Sequence, residues 1–186
     1  MKPPRRIMLF GLLLCAFLLL INLPAVAGLV GYYNFDADAR DGSSSSNNGT
    51  IVGAQIVPEG KIVGACEFDG IDDYIVVPHQ DFLASPQFTV SAWLKSREPV
   101  VGLERGPFGK HREHDNVSYY WIYQRTNELW STMVGSSYGR FCDVTTSVSS
   151  VAGTWGMVTL TYDGGTMRMY VNGSPVGQKA VEGYAG

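Results

Sequence analysis

Helical periodicity is what this 186-residue sequence lacks most plainly. Beyond residue 27, no stretch of ten or more residues repeats apolar side chains at the spacing of an amphipathic helix, which excludes a helical fold. Positive charge is also short. Lys2, Arg5 and Arg6 stand in the first few residues, leaving eleven basic against seventeen acidic side chains, a net charge of −6, for residues 28–186. That balance argues against nucleic acid or an anionic membrane surface as a partner. Cysteine is scarce, with Cys66 and Cys142 the two that lie beyond residue 27. Two readings of them stand. They are bridged, as thiols outside the cytosol often are, or Cys66, two residues from Phe68 on an apolar face, is a buried free thiol. Nucleophilic machinery is missing too: no Gly-x-Ser-x-Gly elbow occurs, and His79, His111 and His114 all fall in expected loops. His111-Arg-Glu-His114 supplies two imidazoles on a polar loop, half of what a zinc site needs.

The N-terminus holds the long apolar run, residues 7–23, behind its basic head and ahead of Pro24-Ala25-Val26-Ala27-Gly28. Basic, apolar and small-residue segments in that order predict a secretory signal peptide over residues 1–27, cut after Ala27. A membrane anchor is the lesser alternative, because the run approaches the length of a span. Leu14 before Cys15 is too large for lipoprotein processing. Residues 28–186 then form one domain, long enough to bury about two-thirds of its unfolded surface.

Strand signals recur through that domain. Residues 29–35 open it, and residues 36–49, rich in Asp, Ser, Asn and Gly, read as a loop. Residues 50–54 follow. The stretch Cys66-Glu-Phe-Asp-Gly-Ile-Asp-Asp-Tyr-Ile-Val-Val-Pro78 reads as strand, corner and strand, with Glu67, Asp69, Asp72 and Asp73 crowded at one rim. Like charges repel, so the rim is either solvated or compensated by a cation, for which calcium is the fitting choice. In Phe88-Thr-Val-Ser-Ala-Trp-Leu-Lys95, alternation sends Phe88, Val90, Ala92 and Leu94 to one face and Thr89, Ser91, Trp93 and Lys95 to the other. Residues 97–116 read as a long polar loop. Residues 117–124 and 128–134 predict a hairpin, and residues 155–162 and 167–171 a second one through Asp163-Gly164-Gly165. Asn172-Gly173 then turns the chain toward Val176. Many short strands joined by turns predict an all-β, two-sheet antiparallel sandwich. Its interior takes Phe88, Val90, Ala92, Leu94, Val158, Leu160, Met167, Met169 and Val171.

Several of these segments, taken in order, carry a resemblance: Tyr33-Asn-Phe-Asp36, Asp41-Gly-Ser, Asn48-Gly-Thr50, Gly64-Ala-Cys-Glu-Phe-Asp-Gly-Ile-Asp-Asp-Tyr74, Phe88 to Lys95, Gly153-Thr-Trp-Gly-Met-Val158 with Thr161-Tyr-Asp-Gly164, and Met169-Tyr-Val-Asn-Gly173. Together they resemble the laminin-G-like jelly rolls of the concanavalin A-like lectin/glucanase superfamily. The resemblance implies a two-sheet antiparallel jelly roll. It also implies a jelly roll incomplete at the C-terminus, since the family carries further strands beyond the region of Gly186, the last beside the first strand. Gly156 and Met157 depart from a frequent histidine, and Asn172 from the usual Asp.

Function is read from the same resemblance. Glucanases of the superfamily place two Glu and an Asp along one strand, and Glu113-His-Asp-Asn-Val-Ser118 lacks the second Glu. A retaining pair needs carboxyls about 5 Å apart, so no enzyme is expected. The segment around Asp115 and Asn116 looks like the pentraxin strand entry, which implies Ca2+ there, with Asp36, Asp41, Asp69 and Asp72 as competing ligands. A solvated loop is the plainer alternative. Trp93 and Tyr120 are the candidate stacking residues for a ligand, drawn from an aromatic set whose other members include Tyr119, Trp121, Tyr123 and Trp130. The expectation is a secreted or cell-surface recognition module for extracellular glycan or protein, with no membrane insertion after signal cleavage. An accessory domain of a secreted glycoside hydrolase or other hydrolase, and a structural spacer in an adhesin, are the alternatives.

Overall fold

A computed structural model describes residues 28–96, 105–112, 117–125, 128–134, 141–147 and 151–180. Among the described residues the chain is all-β, with a single 3-10 turn at Asp81–Ala84. Two four-stranded antiparallel sheets build the sandwich. In the first, β5 (Phe88–Leu94), β10 (Gly156–Tyr162), β11 (Thr166–Val171) and β12 (Ser174–Ala180) lie in the order β12-β11-β10-β5. In the second, β6 (Arg105–Arg112), β7 (Val117–Arg125), β8 (Glu128–Val134) and β9 (Phe141–Ser147) run in sequence order. The earlier part of the chain forms two small ladders. β1 (Thr50–Val52) pairs with β4 (Tyr74–Val76), and β2 (Gln55–Val57) with β3 (Ala65–Glu67).

Alternation and register together make the core. Phe88, Tyr162 and Met167 stand in one row across β5, β10 and β11, followed by Val90, Leu160 and Met169, then Ala92, Val158 and Val171. Because successive residues point to opposite faces, these three rows share the inner surface. Leu160, Val158, Met167 and Met169 are fully buried there, packed against Ile122 of β7 and Val144 of β9 from the facing sheet. This is the expected interior, with Phe88, Val90 and Leu94 partly buried at its margin. Burying a Leu or Met side chain stabilises by about 1.5–3 kcal/mol, so these rows carry much of the fold.

The turn after β11 is fixed by its residues. Asn172 and Gly173 both adopt positive φ, at 51° and 79°, as a two-residue hairpin turn with strand-matching twist requires. Asn172 then ties the hairpin to β10: its backbone N–H donates to the Met157 carbonyl, and its Oδ1 accepts from the Met157 N–H at 2.9 Å. Asn therefore does the bridging work at a position where the family resemblance implied Asp.

The structure corrects two expectations, adds a strand and decides between the two cysteine readings. Residues 97–116 are not one loop, because β6 occupies Arg105–Arg112, so His111 lies on a strand. Gly106 and Pro107 disguise it. The ladder with β7 shifts register between Arg105 and Phe108, which removes the need for a donor at Pro107, and Phe108 packs against the core. β9 was not anticipated; its run of Thr and Ser carries Val144 as its one buried anchor among the described side chains. Residues 29–35 join no strand ladder; Leu29, Val30 and Tyr32 are exposed, and the segment is held by a polar turn instead. Cys66 is a free, half-buried thiol on β3, which pairs with β2, whereas Cys142 belongs to β9 at the edge of a four-stranded sheet; the bridge between them is not formed. Burial, with the charge of Asp73 adding, raises the Cys66 thiol pKa and keeps it protonated.

Candidate functional site

The outer face of the β5–β10–β11 sheet repeats the register of the core with different chemistry. Thr89, Thr161 and Arg168 form one row, Ser91, Thr159 and Tyr170 the next, and Trp93 stands opposite Met157 in the third. Ser91 and Thr159 share a hydroxyl–hydroxyl hydrogen bond of 2.9 Å across the strands. At the end of this face Trp93 is 39% exposed, a large ring left in reach of solvent. An aromatic plate beside a ladder of hydroxyls suits a ligand with an apolar face and a hydroxylated rim.

Trp93 is not alone. The β2–β3 hairpin carries its loop toward β5, and the neck of that loop is closed by the Gly60 N–H donating to the Val63 carbonyl at 3.0 Å. Lys61 and Ile62 form the tip, both exposed. The Gly64 N–H donates to Asp36 Oδ1 at 3.0 Å, pinning the far side of the loop. So held, Lys61 lays its ammonium 4.8 Å from the centroid of the Trp93 ring, within cation–π range. Lys61 was not foreseen as a site residue. The sequence signal was faint: a lone cation between Gly60 and Gly64, 32 residues from the ring it covers.

The other expected residues separate. Tyr120 is not a stacking residue: its ring packs 4.7 Å from that of Phe88 at the margin of the core, and burial raises its hydroxyl pKa. Trp93 stands on the outer face of the β5 sheet while Tyr120, on β7 of the facing sheet, packs against its inner face, so the two form no common site. Asp115 and Asn116 lie outside the described residues. Asp41 is a structural group. Its carboxylate is buried and accepts the backbone N–H of Tyr32, Ser43 and Asn47 at 2.8–2.9 Å, with the Ser43 hydroxyl as a fourth donor. Burial pushes its pKa up, but the donors from Ser43, Tyr32 and Asn47 outweigh that and hold it down at about 2. With its oxygens so engaged, Asp41 does not fit a calcium site. Asp36 is engaged as well, accepting from Gly64 and from Asn34.

Among the described residues, Asp69, Asp72 and Asp73 are the carboxylates that converge, with one oxygen of each within 4.8 Å of the others on an exposed turn. Asp69 Oδ1 accepts from the Ile71 N–H, and Asp73 Oδ2 from the Asp69 N–H. Four carboxylate oxygens remain without a backbone donor among the described bonds, fewer than the six to eight that calcium takes. Carboxyls this close also match the spacing of a retaining glycosidase pair. They sit on an exposed turn.

Comparison with known proteins agrees with the fold. The family model of the concanavalin A-like lectin/glucanases superfamily matches residues 69–185, more than half of the chain. Comparison with curated protein sequences gave no match. Among solved structures, residues 221–444 of an S-layer domain-containing protein from Clostridium thermocellum superpose with a TM-score of 0.53 at 23% identity, covering 80% of this chain and 71% of that one. Domain 4 of a GH43 extracellular arabinanase from Geobacillus stearothermophilus, solved in complex with arabinotriose, gives 0.55 at 21%, covering 82% and 75%. The receptor binding domain of botulinum neurotoxin C/D mosaic serotype gives 0.58 at 16%; this chain covers 37% of that domain, 77% of its own length being matched. At these identities the likeness is one of fold.

Proposed function

The chain belongs to the concanavalin A-like lectin/glucanases superfamily, and from that premise we propose that it is a non-catalytic recognition module for extracellular carbohydrate, secreted or held at the cell surface as part of a larger protein. One observation carries the reading: Trp93 stands exposed at the end of a sheet face whose neighbouring row offers the hydroxyls of Ser91 and Thr159. A sugar ring stacks its C–H face on the indole and turns its hydroxyls to the ladder. The arabinanase domain, a fold neighbour solved with arabinotriose, lends support by analogy. It equally favours the second reading, in which the module is an accessory domain of a secreted hydrolase. A structural spacer in an adhesin is the third; an exposed aromatic over a hydroxyl ladder gives a spacer nothing to do. The decisive experiment is a glycan array with the wild type and Trp93→Ala. Recognition through this face predicts at least a tenfold loss in the variant, about 1.4 kcal/mol. A silent array at high protein concentration leaves the spacer reading in place.

Calcium is proposed as a weak structural ligand of the Asp69–Asp72–Asp73 turn, supported by the convergence of those carboxylates. Bound there, it would relieve the repulsion at the corner between β3 and β4. Calorimetric titration should give weak binding that Asp72→Asn abolishes. Loss in Asp115→Ala instead moves the ion to the loop expected from the sequence, and no heat in the wild type leaves a solvated turn.

A further inference from the structure

The Trp93 face is covered by a cation, and the charges around it explain what would uncover it. Residues 28–95 hold nine acidic side chains and three basic ones, Arg40, Lys61 and Lys95. Arg40 is paired with Asp38 at 3.2 Å. Among the described residues no carboxylate is paired with Lys61 or Lys95. Lys61 lies over Trp93, and Lys95, two residues along from Trp93, follows on the same face by alternation, about 7 Å away along the strand. In a strongly acidic part of the domain, the two cations left without an acidic partner flank one exposed indole.

We infer that Lys61 is a specificity-determining residue, which makes the Trp93 subsite prefer saccharides that carry a carboxylate over neutral ones. The inference rests on the proposed stacking of sugar on Trp93. A neutral ring reaching the indole must push the ammonium aside and gains nothing in return, which weakens its binding by about two- to fivefold. A uronate draws the same ammonium to its own carboxylate, exchanging the cation–π contact for an ion pair, and Lys95 adds attraction from the strand end. The hairpin neck at Gly60 and Val63 fixes the base of the side chain, while the four-carbon stem leaves its head free to swing between the two partners.

The test uses the full chain, with an oligogalacturonide and the fully methyl-esterified form of that oligosaccharide as probes. The two differ in charge and little in ring shape. Titrations are run on the wild type, Lys61→Ala and Trp93→Ala in low salt and in 0.5 M NaCl. The wild type should bind the free acid more tightly than the ester, with the preference reduced by salt. Lys61→Ala should bind the ester about two- to fivefold more tightly than the wild type does and the acid more weakly, moving the acid-to-ester ratio by about tenfold. Trp93→Ala should weaken both. If Lys61→Ala leaves the ratio unchanged while Trp93→Ala weakens both probes, stacking stands and the role of Lys61 is overturned. If Trp93→Ala leaves both affinities at the wild-type value, or neither probe binds the wild type at millimolar concentration, the stacking surface itself is overturned and Lys61 selectivity with it.

Discussion

Between residues 88 and 180 the described chain buries apolar side chains row against row; between 28 and 84 it buries a carboxylate. The sandwich half places Leu160, Met167 and Met169 in a fully buried apolar interior. The other half carries nine acidic side chains against two basic ones, and it exposes Leu29, Ile62, Val63 and Ile71. What orders residues 32–49 is the Asp41 carboxylate, which gathers N–H groups from both sides of the loop, and Asn47, whose Nδ2 donates to the Pro78 carbonyl at 2.9 Å. Apolar area is non-directional and tolerates loose geometry, whereas a carboxylate holds a backbone only at hydrogen-bond distance. The sandwich half, residues 88–180, should therefore fail gradually under substitution, and the half ordered by Asp41 at single atoms.

The largest effect expected from this contrast is in the core. Leu160→Ala removes a fully buried side chain at the centre of the middle row, which should cost about 3 kcal/mol, within the range of about 2–5 kcal/mol seen for such truncations. Ile62→Ala and Ile71→Ala remove side chains that are 82% and 86% exposed and should shift stability by less than about 0.5 kcal/mol. Urea unfolding of the three variants measures both. A loss from Ile62→Ala comparable to that from Leu160→Ala would mean the exposed apolar residues are covered in solution.

Asp41→Asn comes next. The carboxyl titrates at about 2 in the fold against 3.8 in the unfolded chain. A lowered folded-state pKa contributes stability that is present above pH 4 and is lost as the pH falls toward 2. The shift corresponds to about 2 kcal/mol. The gap between wild type and Asp41→Asn in thermal unfolding should be widest at neutral pH and close progressively between pH 4 and pH 2. A gap independent of pH would show that the side chain acts by shape and not by charge.

That residue also marks where the sequence stops being readable. Alternation through Phe88–Leu94 gave the correct inner and outer faces, and Asn172-Gly173 gave the correct turn, because both are local patterns with one physical cause each. Asp41 read as a loop acid and a possible metal ligand; its donors lie between two and nine residues away and carry no signature in composition. Tyr120 reads as a candidate stacking residue because alternation says which residues share a face and not which face looks inward. Its contact with Phe88 settles that. β6 escapes the sequence because Gly106 and Pro107 read as a loop when no partner strand is known, and Lys61 because a cation–π pair between a hairpin loop and β5 leaves no trace in spacing.

The smallest effect sharpens the comparison inside the sandwich, where β12 meets β9. At Gly177 on β12 a Cβ would lie 2.4 Å from Val144 Cγ1 of β9, well inside contact distance. The ladder shifts register here, Met169 pairing with Gly177 and Tyr170 with Pro175, so Val176 is the extra residue, and its side chain packs against the core. Glycine at 177 thus serves close approach between sheets. Gly177→Ala must drive the branched Val144 side chain off its position, at about 1–2 kcal/mol for one methyl group too many. Val144→Ala alone loses buried apolar surface, yet it vacates the space that the new methyl needs. Combined, the two substitutions should cost less than the sum of the singles by about 1 kcal/mol in a double-mutant cycle read by urea unfolding. Strict additivity would mean that β9 and β12 stand further apart in solution than this contact requires.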